Sequence, residues 1–184
     1  IVEQVYVIGC LSQRYGAELQ EEIPEVDAFF GKFDWKGVLE RMGEHFDERI
    51  HNQRVLTTPD HYAYLKISEG CNRTCSYCAI PIMTGKHKSR DFEELLEECR
   101  ALVKGGVKEI LVVAQDLTYY GIDLYGKNRL AELIGRIADI EGLEWIKLHY
   151  ASPAGFPLEL LTVMRERPNV CKYLDIALQH CSDH

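Results

Sequence analysis

Apolar and polar positions alternate along the chain in blocks, with short apolar runs followed by longer stretches of mixed polarity. The first run, 3–9, is rich in β-formers and ends in glycine, and the polar stretch 12–22 has a helical pattern that a proline closes. A second run, 26–30, precedes Asp34, which can cap a helix over 35–47. This part of the chain therefore predicts two strand–helix units.

A polar stretch at 48–60 predicts a linker to the rest of the chain. A strand over 62–67 follows, and a long irregular loop, 68–90, separates it from a helix that begins at Asp91 and ends at a glycine pair. The alternation then continues, with strands predicted at 108–114, 145–150 and 173–178 and helices at 128–140 and 157–167.

Regular alternation of strands and helices predicts an α/β fold with parallel strands joined by helical crossovers. The four strands predicted after the linker are fewer than the eight of a closed (β/α) barrel. We therefore expect residues 56–184 to form part of a (β/α) barrel and residues 1–55 to form a smaller α/β domain before it. The abrupt end after a strand predicts that the chain is a fragment.

Composition and charge narrow the class of protein. With 46% hydrophobic and 27% charged residues, the chain is globular in composition. No run approaches the roughly 20 apolar residues that span a bilayer, and the start lacks a signal peptide, so we expect a soluble, cytoplasmic protein. A net charge of -8 disfavours nucleic acid as a partner, because affinity for phosphates comes largely from Lys and Arg.

The segment GCNRTCSYC places Cys71, Cys75 and Cys78 between a predicted strand and a predicted helix. Seven cysteines are an odd number, and no secretion signal is present, so metal or redox chemistry is expected rather than a disulfide framework. Thiolates suit the iron of a [4Fe-4S] cluster, and three ligands for four irons leave one iron open. The alternatives are three inert cysteines or a zinc site, for which His87 is the nearest candidate fourth ligand.

This CxxxCxxC segment, in the loop after the first strand of a βα barrel, resembles the signature of radical S-adenosylmethionine enzymes. The resemblance implies that the open iron binds the amino and carboxylate groups of S-adenosylmethionine. It also implies that an electron from the reduced cluster cleaves this cofactor and releases a 5′-deoxyadenosyl radical. No side chain is expected to act as a catalytic acid or base, because the cofactor carries the difficult step.

Three stretches are similar to the methylthiotransferases within these enzymes: ISEGCNRTCSYCAIP, GKHKSR and VIGCLSQRYG. The similarity implies that residues 1–55 end the family's amino-terminal domain and that residues 56–184 begin its radical core domain. It further implies that Cys10 is one of three ligands of a second [4Fe-4S] cluster, the other two lying upstream. From the residues alone, Cys10 is also interpreted as a small buried hydrophobe.

Two further stretches, IKLHYASP and YLDIALQH, resemble the methylthiotransferases that modify a ribosomal protein. This branch implies methylthiolation of the β-carbon of an aspartate in ribosomal protein twelve of the small subunit, with an external electron donor. The alternatives are the branch that modifies a transfer RNA base and a non-catalytic zinc-binding fragment. Thr84 and Cys181 depart from the family pattern, and both lie outside the expected cluster ligands.

Barrel enzymes build their sites at the carboxyl ends of the strands, and this rule selects the residues that follow each predicted strand. Gln115 and Asp116 follow an apolar strand, and either contact with S-adenosylmethionine or capping of the next element explains such a polar pair. Gln179 follows the last predicted strand and is a further candidate for binding the cofactor.

Two other candidates lie in the cysteine loop. By resemblance, Tyr77 is expected to lie against the adenine of the cofactor, with ordinary loop packing as the alternative. Arg90 is also a candidate for binding the cofactor; its side chain is expected to pair with a carboxylate, or else to be a solvated charge. His149 and His180 lie near predicted strand ends, where lone histidines are more often structural than catalytic.

Overall fold

The structure is a computed structural model that describes residues 2–32, 34–45, 54–179 and 182. The chain divides into two compact units. The first comprises the described part of Ile1–Arg54 together with Asn72–Lys86, and the second comprises Val55–Cys71 together with the described part of His87–His184. The central part of the cysteine loop thus groups with the first unit, and the two-domain division near residue 55 stays a prediction.

The first unit contains a pair of parallel strands and the helices that follow them. Its elements are β1 (Tyr6–Gly9), α1 (Cys10–Glu22), β2 (Ala28–Gly31), α2 (Trp35–Arg41) and α3 (Ile80–Thr84). Tyr6 pairs with Ala28 and Gly9 with Gly31, which confirms the two predicted strand–helix units. The Asp34 carboxylate accepts a hydrogen bond of 3.0 Å from the amide of Gly37, so it caps α2 as expected. This helix ends at Arg41, so its predicted continuation through residues 42–45 is wrong, because Gly43 has a φ of 79°, outside the helical conformation. Residue 47, its predicted end, lies outside the described residues.

The second unit is built on a parallel sheet. Its elements are β3 (Tyr62–Lys66), β4 (Ser68–Glu69), β5 (Lys88–Ser89), α4 (Phe92–Lys104), β6 (Glu109–Val113), α5 (Ile122–Tyr125), α6 (Leu130–Ala138), β7 (Trp145–Leu148) and α7 (Glu159–Glu166). Strand β6 lies between β3 and β7, and Tyr62 pairs with Glu109, which in turn pairs with Trp145. The predicted parallel α/β architecture is confirmed.

One face of this sheet carries the core of the second unit. Side chains on a strand alternate between its two faces, so every second residue points toward the helices. These residues are fully or almost fully buried against the apolar faces of α4, α6 and α7. On the strands and directly after them they are Ala63, Leu65, Ile67, Ile110, Val112, Ala114, Ile146 and Leu148. Cys99 of α4 is a packing residue of the same core.

The cysteine loop is more ordered than predicted. Residues 68–90 were expected to be irregular, but β4 and β5 form an antiparallel pair, with Ser68 opposite Ser89, and α3 lies between them in the chain. Strands of two residues are too short to produce a recognisable period in the sequence. Pro81 in the first turn of α3 fits a helix start, since its missing N–H would have no partner there.

The strand predicted at 173–178 is wrong. In its place, two isolated parallel bridges join Ile146 to Val170 and Ala151 to Ile176. The physical reason lies in Tyr150, whose φ of 67° takes the chain out of the extended conformation directly after β7. The segment that follows α7 therefore bridges β7 only at Ile146, and its second bridge is to Ala151, beyond the end of β7. Within the described ranges, no helix is both long enough and apolar enough to cross a membrane.

Candidate cluster and cofactor site

The cysteine segment leaves the sheet at a glycine. Gly70 has a φ of 71°, a left-handed conformation that favours glycine, and it turns the chain out of β4 immediately before Cys71. The backbone then forms a turn in which the amide of Cys78 donates to the carbonyl of Cys75 over 3.0 Å. All three cysteines are partly exposed, so their sulfur atoms do not belong to the hydrophobic core. This argues against the interpretation as inert core residues.

The donor set has the chemistry of an iron–sulfur ligand set, because three thiolates spaced three and four residues apart are soft ligands for iron. Among the residues that the structure describes, no three His, Cys, Asp or Glu side chains are grouped so that they could hold a metal ion. The assignment of Cys71, Cys75 and Cys78 as ligands therefore stays a prediction.

Cys10 is the first residue of α1 and is partly exposed. Helix α1 contacts α3, which begins two residues after Cys78 and lies in the same unit. The interpretation of Cys10 as a small buried hydrophobe does not fit this partial exposure. Its proposed role as a ligand of a second cluster stays a prediction.

Three buried polar atoms lie at the carboxyl ends of the parallel strands of the second unit. They are Oγ of Ser68, Oε1 of Gln115 and Nε2 of His149, and none has a hydrogen-bond partner within the described residues. They follow β3, β6 and β7 respectively, one after each strand. A buried polar atom without a partner costs free energy, and native proteins leave few of them. Three at one edge of a sheet indicate a site that a polar ligand completes.

Strand alternation assigns these three atoms to the same side of the sheet. Leu65, Val112 and Leu148 face the helices. Ser68, Gln115 and His149 each lie an odd number of positions further along the chain, so they face the opposite side. Lys66 pairs with Val113, which puts Ser68 and Gln115 at the same level beyond the paired strands. His149 lies one residue past β7, with its Nδ1 3.4 Å from a carboxylate oxygen of Asp175. Ser68, Gln115 and His149, together called the cradle, thus offer a hydroxyl, an amide oxygen and an imidazole nitrogen.

Asp116 caps the turn that follows it, one of the two roles that the sequence allows for this residue. It is 3% exposed, and its Oδ1 accepts hydrogen bonds from the amide of Thr118 at 2.9 Å and from the Thr118 hydroxyl at 2.5 Å. These contacts cap the 3₁₀ turn Leu117–Tyr119. Of the two explanations for the polar pair, capping therefore describes Asp116, and contact of Asp116 with the cofactor stays a prediction.

Arg90 pairs with carboxylates, as expected. Its guanidinium lies 2.7 Å from Glu94 and 2.8 Å from Glu98, and it also donates to the carbonyl of Lys66 over 3.1 Å. Burial acts to lower the pKa of Arg90, but the hydrogen bonds and charges of the two glutamates outweigh it, so the pKa is raised. Arg90 thereby joins the end of β5 to α4 and to the end of β3. Its contact with the cofactor stays a prediction.

The remaining candidates lie on the surface. Tyr77 is 81% exposed, which leaves most of its ring accessible to a ligand such as an adenine. Gln179 is also exposed, and its amide donates to the carbonyl of Ala177 over 2.9 Å. Their roles in cofactor binding stay predictions. His180 and Cys181 lie outside the described residues.

Sequence reasoning missed two members of the cradle. Ser68 follows directly on the strand predicted at 62–67, so the rule that selected Gln115 could have selected it as well. His149 was set aside as a structural histidine, and only the buried Nε2 without a partner changes that interpretation.

Comparison with known proteins agrees with this geometry. Residues 65–184 match the model of the Radical SAM superfamily, and the chain belongs to that superfamily. Membership implies S-adenosylmethionine and a [4Fe-4S] cluster as cofactors.

More specific relatives are the curated proteins named ribosomal protein uS12 methylthiotransferase RimO. The chain is 64% identical to the protein from Porphyromonas gingivalis over 182 residues, 99% of this chain and 42% of the relative. It is 64% identical to the Bacteroides fragilis protein over 183 residues and 51% identical to the Flavobacterium johnsoniae protein, in each case over 100% of this chain and 42% of the relative. The chain thus spans about two fifths of the length of these relatives.

A solved structure supports the fold. The radical S-adenosylmethionine methyltransferase TsrM from Kitasatospora setae superimposes with a TM-score of 0.52 at 15% identity, over 71% of this chain and 26% of TsrM. At this identity the likeness concerns the fold alone. Together with the match to the superfamily model, it confirms the predicted α/β fold with parallel strands of a radical S-adenosylmethionine protein.

Proposed function

We propose that this chain is the cluster- and cofactor-binding part of a radical S-adenosylmethionine methylthiotransferase that modifies ribosomal protein uS12. The observation that carries the cofactor site is the set of three buried polar atoms without partners at the carboxyl ends of β3, β6 and β7. The observation that carries the reaction is 64% identity to the RimO relatives over nearly the whole chain.

In this proposal, Cys71, Cys75 and Cys78 would hold the [4Fe-4S] cluster as thiolates. When bound, the cluster and S-adenosylmethionine would together supply one-electron radical chemistry. This chemistry suits an aspartate β-carbon, because its C–H bond is not acidic enough for removal by a side-chain base. The protein's task is to position the cofactor and to keep water away from it.

The chain's own residues perform that task at the edge of the sheet. Gln115 Oε1 would accept a hydrogen bond from an amino or hydroxyl group of the cofactor, and the Ser68 hydroxyl can donate or accept. By resemblance, Tyr77 is proposed to contact the adenine, and Asp116, Arg90 and Gln179 are further candidates for binding the cofactor. The apolar core of the second unit packs on the other face of this sheet and fixes the strands from which these side chains project.

Cys10 is proposed as one ligand of a second cluster, from which sulfur would be delivered. The helix that begins at Cys10 contacts the helix that follows the cysteine segment, which supports a role beside the first cluster. Its two partner cysteines would have to come from sequence upstream of this chain. An external electron donor would reduce the clusters.

A protein substrate fits the charge of the chain better than a nucleic acid. The net charge of -8 disfavours a polyanionic transfer RNA, unless another segment supplies the contacts. We therefore place the transfer RNA branch second, and the zinc-binding fragment third.

The cofactor site is tested by anaerobic reconstitution with iron and sulfide, followed by an assay for 5′-deoxyadenosine in the presence of S-adenosylmethionine and a reductant. We expect about four irons per chain, broad charge-transfer absorption and cofactor cleavage. Cys75→Ala should abolish all three, whereas Cys171→Ala, which removes a partly exposed cysteine outside the segment, should leave them unchanged. Stoichiometric zinc, or no metal and no cleavage, would overturn the proposal.

The substrate is tested with a chimera in which this chain replaces the matching 183 residues of the Bacteroides fragilis relative. The relative supplies the segments that this chain does not span. We expect mass spectrometry to show a methylthio group on uS12 and none on transfer RNA, with modification lost in Cys75→Ala. Modification of transfer RNA instead would transfer the assignment to the other branch.

A further inference from the structure

The two ends of the cysteine segment meet in the short strand pair β4–β5. Ser68 lies opposite Ser89 and Glu69 opposite Lys88, so the segment with all three cysteines begins and ends at this pair. A pair of two-residue strands is too short to be stable in water by itself. Contacts from outside the pair must therefore hold the base of the cysteine segment in place.

Arg90 supplies some of those contacts, and Ser89 supplies the ones that lead to the segment after β6. Its amide donates to Oδ2 of Asp123 over 2.8 Å, and its hydroxyl donates to Oδ1 of the same carboxylate over 2.6 Å. The hydroxyl oxygen also accepts from the amide of Gly121 at 2.9 Å and lies 3.1 Å from Nε2 of His87. A serine hydroxyl has one proton, and Ser89 donates it in the hydrogen bond to Asp123. The contact with His87 therefore requires that Nε2 of the imidazole be the donor. The hydrogen-bonding capacity of this side chain is fully used.

The partners of Ser89 come from the segment that follows β6. Asp123 lies in the first turn of α5, and Gly121 precedes that helix with a φ of 87°. A Cβ at Gly121 would lie 3.1 Å from the carbonyl oxygen of Lys127, so both the conformation and the close approach require glycine. The geometry that presents Gly121 and Asp123 to Ser89 is thus fixed by the backbone.

Asp123 is suited to hold this base. Burial acts to raise the pKa of its carboxyl, but hydrogen bonds from the hydroxyl and amide of Ser89 outweigh it, and the pKa is lowered. The group is therefore a carboxylate at neutral pH, and two bonds to a charged acceptor are stronger than bonds to a neutral one. The same segment carries Gln115 at its other end, directly after β6.

We propose that Asp123 is a positioning residue that acts through Ser89 to fix the base of the cysteine segment, and with it Ser68 at the cofactor edge. The inference rests on the proposed function, because it assigns to Asp123 the placement of the strand pair at which the cluster-binding segment leaves and rejoins the second unit. Asp123 contacts neither the cysteines nor the cradle atoms in the described hydrogen bonds. Its effect is thus transmitted through the β4–β5 pair.

The test compares wild type with Asp123→Ala, Asp123→Asn and Ser89→Ala, and with Glu141→Gln as a control that removes an exposed carboxylate in the turn after α6. Iron content and the electron paramagnetic resonance of the reduced cluster, with and without S-adenosylmethionine, report on alignment. We expect Asp123→Ala to raise the KM for cofactor cleavage about tenfold, with a smaller change in kcat, and to weaken the spectral change that the cofactor produces. Asp123→Asn, which keeps one acceptor oxygen, should lie between Asp123→Ala and wild type.

A second measurement does not depend on the cluster. Hydrogen–deuterium exchange of the metal-free chain should show faster exchange at Ser89 and Gly121 in Asp123→Ala, and wild-type exchange in the control. If Asp123→Ala does not fold, Asp123→Asn and Ser89→Ala decide the question. Unchanged exchange, KM and spectra in the variants would overturn the inference. Failure of wild type to bind iron, with altered exchange in the variants, would instead overturn the proposed function alone.

Discussion

At the scale of single residues, burial without a partner distinguishes Gln115 from Asp116. The two are adjacent and both polar, yet Asp116 has its oxygen satisfied by Thr118, whereas Oε1 of Gln115 is buried without a partner among the described residues. In the absence of a ligand, Gln115 therefore destabilises the fold, and a ligand that donates to it recovers this free energy.

This difference predicts that Gln115→Leu has opposite effects on stability and binding. The variant removes a buried acceptor without a partner, so the free energy of unfolding of the metal-free chain should rise by about 1 kcal/mol. Affinity for S-adenosylmethionine should fall about tenfold, because one hydrogen bond to the ligand is lost. Urea unfolding and equilibrium binding to the reconstituted chain measure the two quantities. A loss of stability, or unchanged affinity, would contradict the assignment of Gln115 to the cradle.

His87 gives a second residue-scale prediction, on pH. Burial lowers the pKa of this histidine, and the nearby carboxylates of Asp123 and Asp116 oppose the shift only in part. The unfolded chain then binds a proton more readily than the folded one. Stability is thus fully present above the unfolded pKa of about 6.5 and declines as pH falls from there toward the lower folded pKa.

We expect His87→Gln to flatten the decrease in melting temperature between pH 7 and more acidic buffers. His61→Gln is the matched control, because His61 is exposed and outside the Ser89 network. Thermal unfolding followed by circular dichroism across this range measures the slope. Identical slopes for wild type and His87→Gln would show that burial of this imidazole does not control acid stability.

At the scale of elements, Asp91 starts α4 and also joins it to α5. Its Oδ1 accepts from the amides of Glu93 and Glu94, at 2.9 and 3.2 Å, and its Oδ2 accepts from the hydroxyl of Tyr125 at 3.1 Å. The same tyrosine oxygen accepts from the amide of Phe92. The cap thus connects the helix that follows the cysteine loop to the segment that carries Asp123.

Asp91→Ala is therefore expected to lower the free energy of unfolding by about 1 kcal/mol, the usual cost of losing an N-cap. Asp91→Asn, which keeps an acceptor for the helix amides, should cost less. Urea denaturation monitored by circular dichroism measures both variants. A cost for Asn equal to that for Ala would indicate that charge, rather than capping geometry, is responsible.

At the scale of the second unit as a whole, β6 is the strand on which the core depends. Ile110 is fully buried, and its register partners are Ala63 on β3 and Ile146 on β7, so its side chain contributes to the packing of all three strands on the helices. Truncation there leaves a cavity that the neighbouring backbone, held on both sides by ladder hydrogen bonds, cannot close.

We expect Ile110→Ala to cost roughly 2–5 kcal/mol, and Leu158→Ala, at a side chain that is 71% exposed, to stay within about 0.5 kcal/mol of wild type. Chemical denaturation of both variants gives the comparison. Equal costs at the two positions would contradict the assignment of the sheet face that forms the core.

The sequence determined what is local or periodic. Alternation of strands and helices predicted the parallel α/β fold, the caps at Asp34 and Asp91 followed from short-range hydrogen-bond chemistry, and the spacing of Cys71, Cys75 and Cys78 indicated the superfamily that residues 65–184 match. These features need only residues close in sequence or a regular period. Recognition of the chemistry did not require the fold.

Tertiary structure alone decided what depends on residues far apart in the chain. Ser89 and Asp123 are 34 positions apart, and their hydrogen bonds follow from the chain path that returns α5 to β5. The strand predicted at 173–178 failed for a related reason, since the left-handed Tyr150 ends the extended path of β7 and leaves no continuous edge to pair with. The buried atoms of Ser68, Gln115 and His149 follow strands that end at the same edge of one parallel sheet. Whether a buried atom has a hydrogen-bond partner depends on its three-dimensional surroundings and has no sequence period.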